Sequence, residues 1–180
     1  NPSLVGSEMC IRDRYCSKNK FTLFGVGAKY LDYLKNKKYN ASEFDLSNLR
    51  TITSTGSPLV SESFEYVYKN IKKDVHLSSI SGGTDMVGCL VIGNIFQSVY
   101  AGKIQGPSLG IEIDIFDENG NSISNYGKGE LVVKQPFPSM PVKFWNDFNE
   151  SKIKSAYFKK YNNIWHHGDY IQKTKNGGYL

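Results

Sequence analysis

Apolar residues recur along this chain with two different periods, and the change falls near residue 82. Before it, Phe24, Ala28, Leu31 and Leu34 share one helical face and predict an amphipathic helix over 22–36. A strand is expected at 50–54. Ser57 then suits a helix cap and Pro58 a first helical position, with Phe64, Val67 and Ile71 as the buried stripe. A second strand follows at 75–80. Strand, helix, strand in this order predicts a parallel α/β arrangement, in which ligands bind beyond the carboxyl ends of the strands. After Gly82 the apolar residues alternate, as in Ile111, Ile113 and Ile115. A turn at Asp117-Glu118-Asn119-Gly120 and a strand at 130–134 continue that pattern. A short amphipathic helix near 151–158 interrupts it, and a strand at 170–173 leads to a tight turn at Asn176-Gly177-Gly178. The expected fold class is α/β, a parallel sheet with helices followed by a mostly β portion in one continuous piece.

Both ends change this picture. The first sixteen residues show neither period, and the string NPSLVGSEMCIRDR resembles translated adapter sequence. Residues 1–16 are therefore set aside as a non-native leader, and 17–180 carry the fold. After the Asn176 turn only Tyr179 and Leu180 remain, so the chain is expected to stop inside a hairpin and to be truncated on both sides.

Composition narrows the class. A chain of 180 residues with 39% hydrophobic residues, 12 Tyr and 10 Phe can bury a core and is too aromatic for disorder. The net charge of +5 is dispersed. Its densest run, Lys35 to Lys38, suits a solvated helix end better than a nucleic-acid patch. Cys10, Cys16 and Cys89 lack paired Cys-x-x-Cys spacing, which argues against zinc or redox motifs and for a reducing, cytoplasmic compartment. The longest apolar stretch, Met86 to Phe96, is broken by Gly88, Gly93 and Asn94 and is too short to span a bilayer. Neither a nucleic-acid nor a membrane partner is expected, and the sequence is silent on oligomeric state.

Three segments could carry chemistry. In Ser54-Thr55-Gly56-Ser57-Pro58-Leu59 a strand ends at a glycine and a helix is expected to open, a place where a nucleotide can sit. Taken alone, an ordinary capped turn is the stronger reading of this segment. Ser78-Ser79-Ile80-Ser81-Gly82-Gly83-Thr84-Asp85 combines hydroxyls and backbone N–H groups able to bind phosphate oxygens with a carboxylate suited to Mg²⁺. A solvated glycine turn would look the same. In Trp165-His166-His167-Gly168-Asp169 the adjacent histidines would point to opposite faces of a strand, which argues against zinc. Asp169 could accept the two hydroxyls of a ribose or bond its own backbone. His76 reads as a sheet-face histidine, Gly127-Lys128-Gly129 as a turn into a strand, and no Ser/His/Asp or Cys/His system can be assembled.

Taken in order, STGSPL, SGGTD, GKGEL, PFPSMPVKFWND and WHHGD resemble the motifs of the adenylate-forming superfamily of acyl-CoA synthetases, luciferases and peptide-synthetase adenylation domains. The wording of FPSMPVKFWND, SGGTD and FDLSNLRTITSTGSPL is most similar to its acetoacetate-activating branch. The resemblance implies that 17–180 is the later portion of a large N-terminal AMP-binding domain. It also implies ATP, Mg²⁺ and CoA as cofactor and co-substrates, with acetoacetate as the acid. Gly56, Ser57, Pro58, Ser81, Gly83, Thr84 and Asp169 would bind the nucleotide, with Thr84 at the α-phosphate and Asp169 at the ribose. Asp85 would hold Mg²⁺, and Thr84 and Asp85 would be the catalytic groups. Gly82 stands where the acetate-activating branch has Trp, which implies a roomier acyl pocket. The superfamily's phosphate loop, hinge and C-terminal domain with its lysine do not occur in this sequence, so the chain alone is expected to be inactive. Two alternatives stay open, a synthetase for another short or medium-chain acid and a basic binding module without catalysis.

Overall fold

The computed structural model describes residues 12–124 and 126–180. Their contacts fall into two compact units where the hydrophobic pattern reads one continuous piece. One unit runs to Ser79 and takes in Gly93–Lys103, and the other joins Ile80–Ile92 to Ile104–Leu180.

The first unit is built on a parallel sheet of β1 (Leu23–Gly27), β2 (Thr51–Thr55) and β3 (His76–Ser79), with β2 in the centre. Residues 12–18 are helical (α1) and bury Cys16, although no periodicity marks them in the sequence. Helix α2 (Ala28–Asn36) buries Ala28, Leu31 and Leu34. The helix expected over 22–36 is thus corrected to a strand followed by a helix. Phe24 misled because it lies four residues before Ala28 and packs on the same core from the strand, so burial alone fits either period. Helix α3 (Ser61–Tyr66) passes into a π-helical turn, Val67–Ile71. It starts later than expected. Its N-cap is Val60, extended and without a side-chain cap bond, so Ser57 and Pro58 belong to the exposed turn before it. Leu31, Ile52, Phe64, Val67 and Leu77 form the heart of the core.

The second unit holds two antiparallel sheets. One contains β4 (Ser81–Gly83), β5 (Gly88–Ile92) and β6 (Gly106–Pro107), and the other β7 (Ile113–Phe116), β8 (Lys128–Val133) and β9 (Trp165–Gln172) with β8 central. Strand β8 starts at Lys128, so the turn read into Gly127-Lys128-Gly129 is corrected. Alternation fails to mark it because Gly129 to Val133 are all buried. Glu130 is buried too, with Lys160 Nζ and His166 Nε2 each 3.0 Å from its carboxylate. The short helix α4 (Ser151–Ile153) continues as a π-helical turn, Lys154–Phe158. The final turn closes as expected, with reciprocal backbone hydrogen bonds between Gln172 and Leu180. Trp165 anchors the core at 2% exposure. Phe137 and Phe158 meet its ring edge-on and Tyr157 stacks on it at 3.6 Å, geometries that add to simple area burial.

Candidate functional site

Two places in the first and second units carry the residues singled out by sequence. In the first unit, Gly56, Ser57 and Pro58 follow the carboxyl end of β2 and are exposed, the end of a parallel strand at which ligands bind. The helix dipole anticipated at Ser57 is not there, since α3 opens only at Ser61.

In the second unit, Ser81 to Asp85 form one arm and the tip of a hairpin. Gly83 pairs with Gly88, and the Val87 N–H donates to the Thr84 carbonyl at 3.1 Å. The connection is tight, and Val87 takes the left-handed conformation, with φ of 49°. A β-branched residue there is a backbone outlier. Fully buried Met86 pins the tip while Thr84 and Asp85 are left exposed. The tip therefore offers a hydroxyl and a carboxylate to an incoming group from a fixed base.

Strand β9 supplies the other carboxylate through an irregularity. Glu130 pairs with Tyr170 and Val132 with His166. Only Leu131 therefore stands opposite His167, Gly168 and Asp169. The extra residues bulge outward, and Gly168 makes this possible with φ of 94°, where an L side chain would be strained. Bulges of this kind re-aim side chains. Here Asp169 is turned out of the ladder towards Ser81, whose Oγ donates to Asp169 Oδ2 at 3.4 Å. His167 Nε2 lies 3.6 Å from the same oxygen. The indole N–H of Trp165 donates to His167 Nδ1 at 3.4 Å, which orients the ring with Nε2 facing the carboxylate. His167 also borders Gly83, where a Cβ would come within 3.2 Å of His167 Cε1. Within this unit the structure thus brings Ser81, Gly83 and Asp169 together around His167.

Asp85 has its own partner. The Tyr157 hydroxyl donates to Asp85 Oδ2, and Tyr157 is held by its stack on Trp165. Burial first, and then the hydrogen bond to the Asp85 carboxylate, push the phenol pKa up to about 12, so it remains a donor at neutral pH. Tyr157 and the positioning contact of His167 were missed in the sequence. Tyr157 lies in a segment that reads only as an amphipathic helix, and His167 was weighed only as a metal ligand.

Gly82 meets a different constraint. A Cβ there would lie 2.1 Å from the Gly88 carbonyl oxygen and 2.5 Å from Cys89 Cα, so the backbone of β5 itself occupies the space of a side chain. The pairing is also irregular between Ser81 and Gly82.

Among the described residues no group of three or more His, Cys, Asp and Glu could hold a metal ion. His166 turns to Glu130 and His167 to Asp169, which leaves them without a shared ligand position. A lone exposed carboxylate such as Asp85 does fit Mg²⁺ of the kind shared with substrate phosphates, which takes one or two protein carboxylates and completes its shell from phosphate and water. Among the described residues no helix is long and apolar enough to cross a membrane.

No family model matches the chain. An acetoacetyl-coenzyme A synthetase of Rhizobium meliloti (strain 1021) is 44% identical over 97% of the chain. The acetoacetyl-CoA synthetase of Gallus gallus is 46% identical over 87% of it. The chain spans only 29% and 24% of these relatives' own length. Among solved structures, an acetoacetyl-CoA synthetase from Streptomyces lividans superposes with a TM-score of 0.86 at 33% identity, over 94% of this chain and 27% of that one. An anthranilate CoA ligase in complex with anthranoyl-AMP superposes with a TM-score of 0.73 at 19% identity, over 92% of this chain and 30% of that one, a likeness of fold alone.

Proposed function

We propose, for a chain homologous over nearly its whole length to about a quarter of the acetoacetyl-CoA synthetases, that it is part of a ligase joining acetoacetate to CoA at the expense of ATP. That homology is the observation that carries the reading. In the first half-reaction a carboxylate oxygen of acetoacetate attacks the α-phosphorus of ATP, and pyrophosphate leaves as the acyl-adenylate forms. In the second, the CoA sulfur attacks the acyl carbon, the thiol proton is lost and AMP leaves.

No protein nucleophile is needed. Catalysis rests on positioning and on neutralising charge at the phosphate, the role that Mg²⁺ supplies when bound. The Thr84 hydroxyl is assigned to an α-phosphate oxygen and Asp85 to the metal. Asp169 accepts the ribose hydroxyls, an arrangement supported by its exposure on the β9 bulge and by the Ser81 and His167 contacts that hold it. Ser81 and Gly83 border the phosphates, and Gly56, Ser57 and Pro58 the adenine. Gly82 is assigned to the acyl end. Acetoacetate is preferred over other short acids because the relatives of known name share that substrate in their names.

The test is exchange of labelled pyrophosphate into ATP by the whole protein. Exchange is expected to depend on acetoacetate and to exceed that with acetate or butyrate. The 180-residue chain assayed alone is expected to give none, because each missing electrostatic donor costs about 10²-fold or more. Exchange driven equally by several acids would replace acetoacetate as the substrate, and no acid-dependent exchange by the whole protein would overturn the ligase reading.

A further inference from the structure

The assignment of Asp85 to a metal leaves one of its neighbours without a role. Tyr157 sits in the π-helical turn Lys154–Phe158, and such turns insert a residue into a helix and recur at functional sites. Its ring lies flat on Trp165, with centroids 3.6 Å apart and planes inclined by 12°. Trp165 is itself 2% exposed and wedged by Phe137 and Phe158. A phenol fixed in this way has little rotational freedom, and its hydroxyl reaches one oxygen of a carboxylate 72 residues away in sequence.

We propose that Tyr157 is a positioning residue for Asp85. By donating to Oδ2 it fixes the carboxylate plane and leaves Oδ1 free to face a divalent cation, a role that rests on the assignment of Asp85 made above. One feature of the site fits this. Asp85 stands on an exposed hairpin tip, where a side chain with two free torsions would otherwise sample several rotamers and lose entropy on binding a metal. A hydrogen bond to a ligating carboxylate orients the ligand, and its loss costs about 10- to 100-fold in metal affinity. The same Trp165 ring also anchors His167, and through it Asp169. One buried indole therefore bears on the position of both Asp85 and Asp169.

The experiment uses the whole protein and Mn²⁺ as the metal probe, with binding followed by electron paramagnetic resonance in the presence of a non-hydrolysable ATP analogue. Tyr157→Phe keeps the stacked ring and removes only the hydroxyl. It is expected to weaken Mn²⁺ binding by about 10- to 100-fold while leaving metal-free binding of the analogue unchanged. Tyr157→Leu, which also removes the ring, is expected to weaken Mn²⁺ at least as much. Asp85→Asn serves as reference and is expected to lose more metal affinity than Tyr157→Phe. Wild-type Mn²⁺ affinity in Tyr157→Phe, with Asp85→Asn impaired, overturns the positioning role and leaves the Asp85 assignment intact. A loss seen only in Tyr157→Leu overturns it as well, since packing alone then accounts for the effect. Unchanged affinity in Asp85→Asn removes the metal from Asp85 and the proposal with it.

Discussion

Asp85→Asn in the whole protein is expected to lower acetoacetate-dependent adenylation by about 10²- to 10³-fold, the scale on which a single preorganised electrostatic contact to a developing charge acts. The replacement is nearly isosteric. Asp85 is exposed at the tip of the β4 to β5 hairpin, and the amide oxygen of Asn can still accept the Tyr157 hydroxyl, so the fold is expected to persist. What disappears is a full negative charge facing the cation that the phosphates share. The loss should appear mainly in kcat, because charge neutralisation matters most where charge develops. Part of it should be recovered at high Mg²⁺ concentration. The assay is single-turnover formation of the acyl-adenylate with a parallel melting curve. A folded variant with activity within tenfold of wild type would exclude Asp85 from the metal site.

The second large effect concerns Gly82. From sequence, Gly82→Trp should fill the acyl pocket and shift preference from acetoacetate towards acetate by an order of magnitude. The structure changes that expectation, because even a Cβ at this position would press against the Gly88 carbonyl at 2.1 Å and Cys89 Cα at 2.5 Å. The obstacle is backbone, which cannot swing aside as a long side chain can. Forcing extra atoms into a packed site costs about 1–3 kcal/mol, sometimes more, and here the cost falls on the hairpin that carries Thr84 and Asp85. Gly82→Ala is therefore expected to lower the melting temperature measurably. Gly82→Trp is expected to reduce kcat/KM for acetoacetate and acetate together, by about 10²-fold or more through displacement of the catalytic tip. A well-folded Gly82→Trp protein whose acetoacetate-to-acetate ratio moves tenfold would show that β4 can retreat and that the glycine sets acyl size.

Much of the scaffold was legible in the sequence because its signals are local. The strand, helix, strand order of the first unit, the turn at Asp117 to Gly120 and the closing turn near Gly177 all follow from period and turn chemistry. Errors arose where two periods coincide or none shows. Phe24 satisfied a helical spacing from within β1, and the wholly buried run in β8 erased alternation. The site was legible only in part. Ser81, Gly83 and Asp169 were found as types suited to phosphate and ribose, but their contacts were not, since Tyr157 reaches Asp85 across 72 residues, Ser81 reaches Asp169 across 88, and His167 meets Asp169 through a bulge that no motif announces. Gly82 was recognised as unusual, yet the reason it must be glycine lies on a neighbouring strand.

The central claim, that the hairpin tip and the β9 bulge hold a nucleotide, is tested most directly by a crystal structure of the whole protein with AMP and acetoacetate. The account predicts both ribose hydroxyls on the carboxylate of Asp169, an α-phosphate oxygen within hydrogen-bond distance of the Thr84 hydroxyl, and Tyr157 still on Asp85. AMP bound away from Asp169 and Thr84, with both side chains facing solvent, would contradict it.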